Sequence, residues 1–362
     1  LKLVLVPAIA QAQAQSQAQN QTVAMTQQID TFFNTPGFSG NPSTVIEDQL
    51  IRMLRASDAS TKINISLYTF DRTTLALEII KAQARGASVE LVLDDKYEVE
   101  TNQAGTAFNI LAHGAEGLPG LNCNGKSCIT FCNQSCTGLW INHNKFFLFS
   151  QLNEELYENE NKNHHTNSIT SQFIVAQTSA NMTNGQTMNY NDLIVIKNDQ
   201  HFYEGMLGYW QRLKSNSFHL NKATTIEGQN GIKAYFFPRL IGSDPVEKIL
   251  NDVRCDLAGS IISVIQSRFD DDRDYLAEKL AQLAKAGCDV KVIVRKEPKL
   301  NSPGKKVVKF LGENLASLTY KDIDGKILVT NSLHSKVLMI NARMSHSTQK
   351  STLVLTGSHN FN

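Results

Sequence analysis

The segment Leu333–Asn362, LHSKVLMINARMSHSTQKSTLVLTGSHNFN, contains two apolar runs with polar residues at their ends. His334 and Lys336 stand two residues apart at the first run, and Ser358 and Asn360 follow the second. Residues i and i+2 of an extended strand point to the same face of a sheet. The segment therefore predicts an imidazole and an ammonium that project together, with a hydroxyl and an amide nearby. Such a set suits the binding of a phosphate in a pocket.

A βαβ unit occurs twice in the chain, at residues 62–93 and again at residues 260–294. Each copy reads as a strand, a helix closed by a glycine, and a second apolar strand. Strands of this kind are typical of a buried parallel sheet. The predicted fold is therefore α/β, with two similar halves that form a pseudo-two-fold bilobal unit. Each half is a mixed, mainly parallel sheet flanked by helices, an α-β-α sandwich.

The first half contains a counterpart of the opening segment. His143 and Lys145 lie two residues apart in WINHNKFFLFS, residues 140–150, and Ser179 and Asn181 follow the next apolar run. The order strand, helix, strand, His-x-Lys, strand, Ser-x-Asn thus occurs twice. A single His-x-Lys pair on a strand is more often a surface or core pair. The duplication favours a functional interpretation of both pairs.

The domain boundaries follow from the repeat. The N-terminal half is predicted at 40–215 and the C-terminal half at 235–362, with a polar, glycine-containing linker at 216–234. Residues 1–22 combine a lysine, a short apolar run and an Ala/Gln-rich stretch, which is typical of a signal-peptide remnant and a low-complexity lead. The apolar run is too short to span a bilayer. This pattern predicts a secreted or periplasmic protein, and a disordered N terminus is the alternative.

Six cysteines agree with export. An even number of cysteines in an oxidising compartment predicts disulfides. A zinc site is the alternative, but the spacing within the cluster matches no common zinc pattern. The pairing within the cluster stays open. The cysteines are Cys123, Cys128, Cys132, Cys136, Cys255 and Cys288.

The overall charge restricts the class of partner. The chain has 362 residues and a formal net charge of +1. This length predicts about two domains. A charge near zero provides no global basic field for sequence-independent binding of nucleic acid, although it leaves room for a local basic cleft.

Two histidines can divide one phosphoryl transfer between them. A neutral imidazole attacks phosphorus, and a protonated imidazole gives its proton to the departing oxygen. Lys145 and Lys336 would supply fixed charge for the non-bridging oxygens, and the Ser-x-Asn residues would donate hydrogen bonds to them. We expect no metal and no cofactor, because the lysines supply the charge that a metal ion would otherwise bring.

The motifs resemble those of the phospholipase D superfamily, whose signature is HxKxxxxD followed by GSxN. This resemblance extends from about residue 60 to the end of the chain. It implies a phosphohistidine intermediate on His143, with His334 as general acid and later base. The matching residues are His143-Asn144-Lys145 with Ser179-Ala180-Asn181, and His334-Ser335-Lys336 with Gly357-Ser358-His359-Asn360.

The chain departs from this signature at three positions. Ser150 and Asn341 stand where the motif has its Asp, and Thr178 replaces the glycine before Ser179. The motif Asp usually serves structure more than chemistry, so these changes do not exclude activity.

The first half continues through an apolar strand at 191–196 and a helix at 201–214, for which the second half has no counterpart. We therefore expect that the sequence is cut at its C terminus. Asp192 at the start of that strand is a candidate for the acid that orients His143 through its other ring nitrogen. A surface carboxylate is the alternative interpretation of Asp192.

The function that these features favour is that of a secreted phospholipase D. It would hydrolyse the head-group phosphodiester of glycerophospholipids such as phosphatidylcholine, and would transfer the phosphatidyl group when an alcohol replaces water. The alternatives are a secreted metal-independent nuclease and a catalytically weakened family member. We expect a monomer that meets its phospholipid at a membrane or micelle surface, with no stable nucleic-acid partner. A lipid enzyme should expose apolar, aromatic loops around its pocket.

Overall fold

The computed structural model describes residues 2–5, 25–36, 41–95, 106–124, 128–153, 170–216, 224–237, 244–314, 327–330 and 332–362. Below, the first half means residues 40–215 and the second half residues 235–362.

The described residues form two large sheets, a two-stranded ribbon and seven α-helices. In chain order the strands are β1 (Lys2–Leu5), β2 (Gln28–Asn34), β3 (Lys62–Leu67), β4 (Ser88–Asp94), β5 (Gly114–Ala115), β6 (Leu118–Pro119), β7 (Ile129–Cys132), β8 (Lys145–Asn153), β9 (Thr170–Thr178), β10 (Asn191–Lys197), β11 (Thr225–Glu227), β12 (Lys233–Tyr235), β13 (Val253–Arg254), β14 (Ile261–Gln266), β15 (Asp289–Arg295), β16 (Ile327–Thr330), β17 (Lys336–Met344) and β18 (Lys350–Gly357). The helices are α1 (Val45–Arg55), α2 (Thr73–Ala84), α3 (Ala107–His113), α4 (Gln200–Lys214), α5 (Pro245–Asp252), α6 (Asp274–Lys285) and α7 (Lys305–Asn314).

The two large sheets share one strand order. The first sheet runs β2-β10-β9-β8-β3-β4-β7, and the second contains the run β12-β1-β18-β17-β14-β15-β16. The βαβ strands pair in parallel in both sheets, β3 with β4 and β14 with β15. β7 and β16 extend these parallel sets, whereas the pairings on the other side of β3 and β14 are antiparallel. The predicted mixed α/β architecture is confirmed, with its parallel part in the βαβ units.

Helices cover the sheets because their apolar residues recur every three or four positions. In α6 the residues Leu276, Leu280 and Leu283 are buried on one side. The helices α1, α2 and α3 pack on one face of the first sheet and α4 packs on the other. The second sheet has α5, α6 and α7 on one face. Gly86 and Gly287 follow α2 and α6 with φ of +100° and +104°, a backbone conformation that favours glycine.

Strand β1 lies where the sequence predicted only a signal-peptide remnant. Lys2–Leu5 pairs antiparallel with β18 and with β12, and thus occupies the place in the second sheet that β10 occupies in the first. Residues 6–24 lie outside the described residues. The predicted linker at 216–234 also contributes strand β11 to the second sheet.

All six cysteines form disulfides, as the even count predicted. The pairs are Cys123–Cys128, Cys132–Cys136 and Cys255–Cys288. Since each thiol of the cluster is bonded to a neighbour, the zinc alternative is excluded. Among the described residues, no helix has the length and apolar character that a membrane span requires.

The disulfides predict a graded loss of stability. Cys255–Cys288 closes a sequence separation of 33 residues and Cys132–Cys136 one of 4. In the chain-entropy model, replacing both cysteines by serine should cost about 4 kcal/mol for the first pair and about 2 kcal/mol for the second. Urea unfolding of the two double variants measures the difference, and equal losses would contradict this account.

Candidate active site

The strands β8 and β17 position the two His-x-Lys pairs at equivalent places. Each strand begins at the lysine, so His143 and His334 lie in the two residues before it rather than within the strand as predicted. Lys145 and Lys336 are fully buried. The Lys145 ammonium donates to the His143 carbonyl oxygen at 3.0 Å, and Lys336 donates in the same way to the His334 carbonyl oxygen.

Both histidines line one cavity of about 1040 Å³. Asn181 and Asn360 line it too, and their Oδ1 atoms are buried with no hydrogen-bond partner among the described residues. The structure therefore brings two imidazoles and two side-chain amides to one place, although the two halves of the set lie far apart in sequence.

The imidazole of His143 is held by the second half. Its Nδ1 lies 3.1 Å from the Ser358 carbonyl oxygen, and the ring of Tyr68 packs against it at 4.8 Å between centroids. A carbonyl oxygen can only accept a hydrogen bond, so this contact assigns the proton to Nδ1. The lone pair of neutral His143 is then on Nε2.

The imidazole of His334 is held by the first half. Its Nδ1 lies 3.1 Å from Asn191 Oδ1. The Asn191 Nδ2 donates to the carbonyl oxygens of Gln186 and Asn189, so the amide oxygen must face His334. His334 Nδ1 can therefore donate to this oxygen, while Lys336 Nζ lies 3.1 Å from the same nitrogen. When His334 is protonated, Nδ1 carries a proton and the contact with Asn191 is a hydrogen bond.

The main chain ties the two halves together at the same point. Tyr190 N donates to Ser332 O at 2.8 Å, and its carbonyl accepts from His334 N at 2.9 Å and Ser335 N at 3.0 Å. The residue just before β10 and the residues just before β17, which we call the leads into these strands, are thus joined by hydrogen bonds beside the cavity.

The position of Asp192 corrects the predicted orienting acid. Among the described residues no hydrogen bond joins Asp192 to His143. Its Oδ2 accepts from Thr356 Oγ1 of the second half, and its Oδ1 is buried with no partner among the described residues. The negative charge of Asp192 raises the pKa of Lys336. The residue before it, Asn191, contacts the His334 ring. The acceptor that orients His143 is a backbone carbonyl, which no sequence pattern identifies.

The two motif serines serve as positioning groups in this structure. Ser179 Oγ accepts from Asp192 N at 2.9 Å and donates towards Asn191 Oδ1 at 3.3 Å. Its hydroxyl therefore holds the residue that orients His334, which differs from the phosphate contact predicted for it. Ser358 is buried, and its carbonyl holds His143. Of the four predicted phosphate ligands, Asn181 and Asn360 are the ones that line the cavity, and the Nδ2 of such an amide is the group that can donate to a phosphate oxygen.

The residues that replace the motif Asp serve the sheets. Ser150 Oγ accepts from Lys62 N at 2.9 Å across β8 and β3, and Asn341 Nδ2 donates to Thr352 Oγ1 at 3.2 Å across β17 and β18. Neither residue lines the cavity.

Burial and like charge lower the basicity of the site. Burial holds the pKa of His143 and of His334 well below 6.5, and the ammonium groups of both lysines lower these pKa values further. Burial also depresses the pKa of Lys145 well below its usual range and that of Lys336 to about 7, although Asp192 opposes the latter effect. These low pKa values favour the neutral form of both imidazoles. An entering anion favours the protonated form of each group.

Sequence reasoning missed three charged or aromatic residues of the site. Tyr68 follows β3 and carries the His143 contact, with Lys145 Nζ 5.4 Å from its ring centroid. Asp94, the last residue of β4, raises the pKa of Lys145. Arg295, the last residue of β15, lowers the pKa of His334. Their position in the sequence could have indicated them, because each follows or ends a strand of a βαβ unit and ligands bind at the carboxyl ends of such strands.

The fold and the site define an α/β protein with two related His-x-Lys and Ser-x-Asn half-sites around one cavity. Residues 50–213 match a family model described as "Cardiolipin synthase, PLD-like domain". The match lies within the first half of the chain, and it agrees with the resemblance of both motif copies to the phospholipase D superfamily. Members of this superfamily act as phosphodiesterases.

Solved structures show distant similarity. The phospholipase D family member Nuc from Salmonella typhimurium is 18% identical, with a TM-score of 0.33, over 51% of this chain and 93% of its own. Phosphatidylserine synthase of Haemophilus influenzae Rd KW20 is 12% identical, with a TM-score of 0.46, over 92% and 82%. Polyphosphate kinase from Porphyromonas gingivalis is 9% identical, with a TM-score of 0.48, over 91% of this chain and 47% of its own. No curated protein matches the chain.

The pKa of Lys336 predicts the alkaline limb of activity. Lys336 is cationic below a pKa of about 7, so kcat/KM for a phosphodiester should fall as the pH rises through that value. Asp192→Asn removes the charge that raises this pKa, and the fall should move about one unit lower. The pH profile with bis(p-nitrophenyl) phosphate measures it, with exposed Asp48→Asn as control. An unmoved or higher limb in Asp192→Asn would refute the assignment.

Proposed function

We propose that the protein is a phospholipase D-type phosphodiesterase that hydrolyses the head-group phosphodiester of glycerophospholipids, phosphatidylcholine among them. The observation that supports a lipid substrate is an exposed apolar rim on the cavity. Leu139, Trp140 and Ile141 line the cavity and are 40%, 64% and 46% exposed. Consecutive apolar side chains beside a catalytic cavity suit insertion into the interface of a bilayer or micelle.

The rim has a restrained backbone. The Cys132–Cys136 disulfide precedes it, and Cys136 and Trp140 have φ of +66° and +70°. Non-glycine residues adopt such angles at a cost, so the surrounding structure must hold them there. Leu300 lines the same cavity from the second half and is also exposed. A groove built to follow a nucleic-acid backbone would place lysine or arginine at these positions.

In the first step His143 is the nucleophile. Its Nε2 attacks phosphorus, an N–P bond forms, and the P–O bond to the head group breaks. Protonated His334 gives its Nε2 proton to the departing oxygen. The bound phosphodiester anion supports this protonation, and Lys145 and Lys336 stabilise the oxygens that gain charge in the transition state.

In the second step His334 is the base. It takes a proton from water, whose oxygen attacks phosphorus, and the N–P bond to His143 breaks to release phosphatidic acid. An alcohol in place of water gives a new phosphatidyl ester by the same route. We propose no metal and no cofactor for either step.

A nuclease of the same superfamily is the alternative. Arg268, Arg273 and Arg295 line the cavity, and such residues bind the phosphates of a nucleic-acid strand. A catalytically weakened member receives less support, since the residues that replace the motif Asp bond within the sheets.

The setting of the enzyme is proposed on the same grounds. Three disulfides suit an oxidising compartment, which supports a secreted or periplasmic location. There the protein would act as a monomer at a phospholipid surface, without a stable nucleic-acid partner.

A product assay tests the proposed function. Phosphatidylcholine vesicles and single-stranded DNA are offered in parallel, and we expect choline release without DNA cleavage. His143→Ala and His334→Ala should each lower the rate by at least about a thousandfold, because each removes a group that the covalent route needs. Exposed His346→Ala is the control. DNA cleavage without choline release would establish the nuclease instead, and full activity of either cavity variant would exclude the two-histidine mechanism.

The rim predicts a separate effect on vesicle substrates. Trp140→Ala should lower the ratio of vesicle to bis(p-nitrophenyl) phosphate activity by about tenfold, because it removes apolar area that would enter the lipid. Ile261→Ala removes an exposed apolar side chain that does not line the cavity and should leave this ratio unchanged. Equal ratios in the two variants would argue against membrane contact by the rim.

A further inference from the structure

Two arginines of the second half, Arg295 and Arg268, stand at the cavity where the first half has other residue types. β14 pairs with β15 in the same way as β3 pairs with β4, so Arg295 at the end of β15 corresponds to Asp94 at the end of β4. Arg268 corresponds to Thr69, because the carbonyl of each accepts a bond from the residue after its Ser-x-Asn motif. The fold therefore does not require arginine at either position.

Neither guanidinium is fully used by the protein. Arg268 and Arg295 line the cavity with His334, and the Nε atom of each is buried with no hydrogen-bond partner among the described residues. Arg268 Nη2 pairs with Asp270 at 2.7 Å, and Arg295 Nε lies 3.7 Å from Glu297, which exceeds hydrogen-bonding distance. A buried donor without an acceptor costs free energy, which a bound anion would recover.

A third arginine in the cavity is committed to the fold. Arg273 forms an ion pair with Asp244, donates to the Asn360 carbonyl oxygen at 3.0 Å, and contacts the ring of His359. The remaining acid of the wall, Asp272, is exposed. Of the three arginines that line the cavity, Arg268 and Arg295 are thus the two whose Nε groups have no hydrogen-bond partner among the described residues.

The charge of Arg295 opposes the groups beside it. It lowers the pKa of both His334 and Lys336, after burial and other charges, so it disfavours the cationic forms that hold a phosphate. A bound anion offsets the repulsion between these neighbouring positive charges and so stabilises their charged forms. The scissile phosphodiester carries one negative charge, which Lys145 and Lys336 balance in the proposed mechanism.

We infer that Arg295 and Arg268 form a second anion subsite, which binds a phosphate on the head group of the lipid, next to the scissile phosphodiester. This inference rests on the proposed function, because it names the lipid class for the same cavity. Guanidinium groups suit the purpose, since they bind phosphate through two parallel hydrogen bonds. The preferred substrates are then phospholipids with a second phosphate on the head group.

A matched pair of lipids tests the subsite. Phosphatidylinositol 4-phosphate and phosphatidylinositol differ by one phosphate, and both are assayed in detergent micelles. We expect kcat/KM to favour the former by at least about tenfold in the natural protein, and by about threefold or less in Arg295→Gln and in Arg268→Gln. Lys291→Gln removes an exposed cation on the same strand and should keep the natural ratio. Equal use of both lipids by the natural protein would overturn the inference.

Binding without turnover separates this inference from the proposed function. By calorimetry, pyrophosphate should bind at least about tenfold more tightly than phosphate, and Arg295→Gln should lose this difference. If no phosphodiester is hydrolysed, the proposed function fails and this measurement alone decides on the subsite. Arg295→Lys, which keeps the charge but not the paired donors, should retain part of the difference. Equal affinities in the natural protein would overturn the subsite.

A nucleotide pair tests the source of the second phosphate. Thymidylyl-thymidine is offered with and without a 5′-phosphate. A preference for the phosphorylated form that is absent from the lipid pair would overturn the assignment to lipids and place a nucleic-acid strand in the cavity. A preference confined to the lipid pair supports the inference.

Discussion

The hydrogen bonds between the lead into β10 and the lead into β17 are the contact on which the site depends. Tyr190 pairs with the main chain of Ser332, His334 and Ser335, and Asn191 holds the His334 ring. The contact of His143 with the Ser358 carbonyl is its counterpart from the other side. Each half therefore fixes the imidazole of the other.

Burial gives this contact its chemical effect. Lys145 and Lys336 have no exposure to solvent, and burial together with their charge favours the neutral form of both histidines. In such surroundings an anion is bound strongly, because little water screens its charge. Binding of the substrate and protonation of the general acid are then linked, since the anion raises the pKa of the groups around it.

Local patterns predicted the parts of the fold that depend on neighbours in sequence. The helices predicted within the two βαβ units are α2 and α6, and the strands predicted on either side of them are β3, β4, β14 and β15. The role predicted for Asp192 was assigned within its own half, but the contacts of β10 cross to the second half. Arg295 escaped notice because a single arginine after a strand has no pattern. Its effect on the site is evident only from the tertiary structure, which places its charge close enough to lower the pKa of His334 and Lys336.

The amino-acid sequence by itself determined the α/β class, the two His-x-Lys copies and the even set of cysteines, because apolar periodicity and motif spacing are local properties of the chain. The tertiary structure decided which cysteines pair, which groups hold each histidine, and which charges share the cavity. It also placed Lys2–Leu5 beside β18. These outcomes depend on docking two sheets whose contacts join residues far apart in sequence, and no local pattern carries the distances that such docking creates.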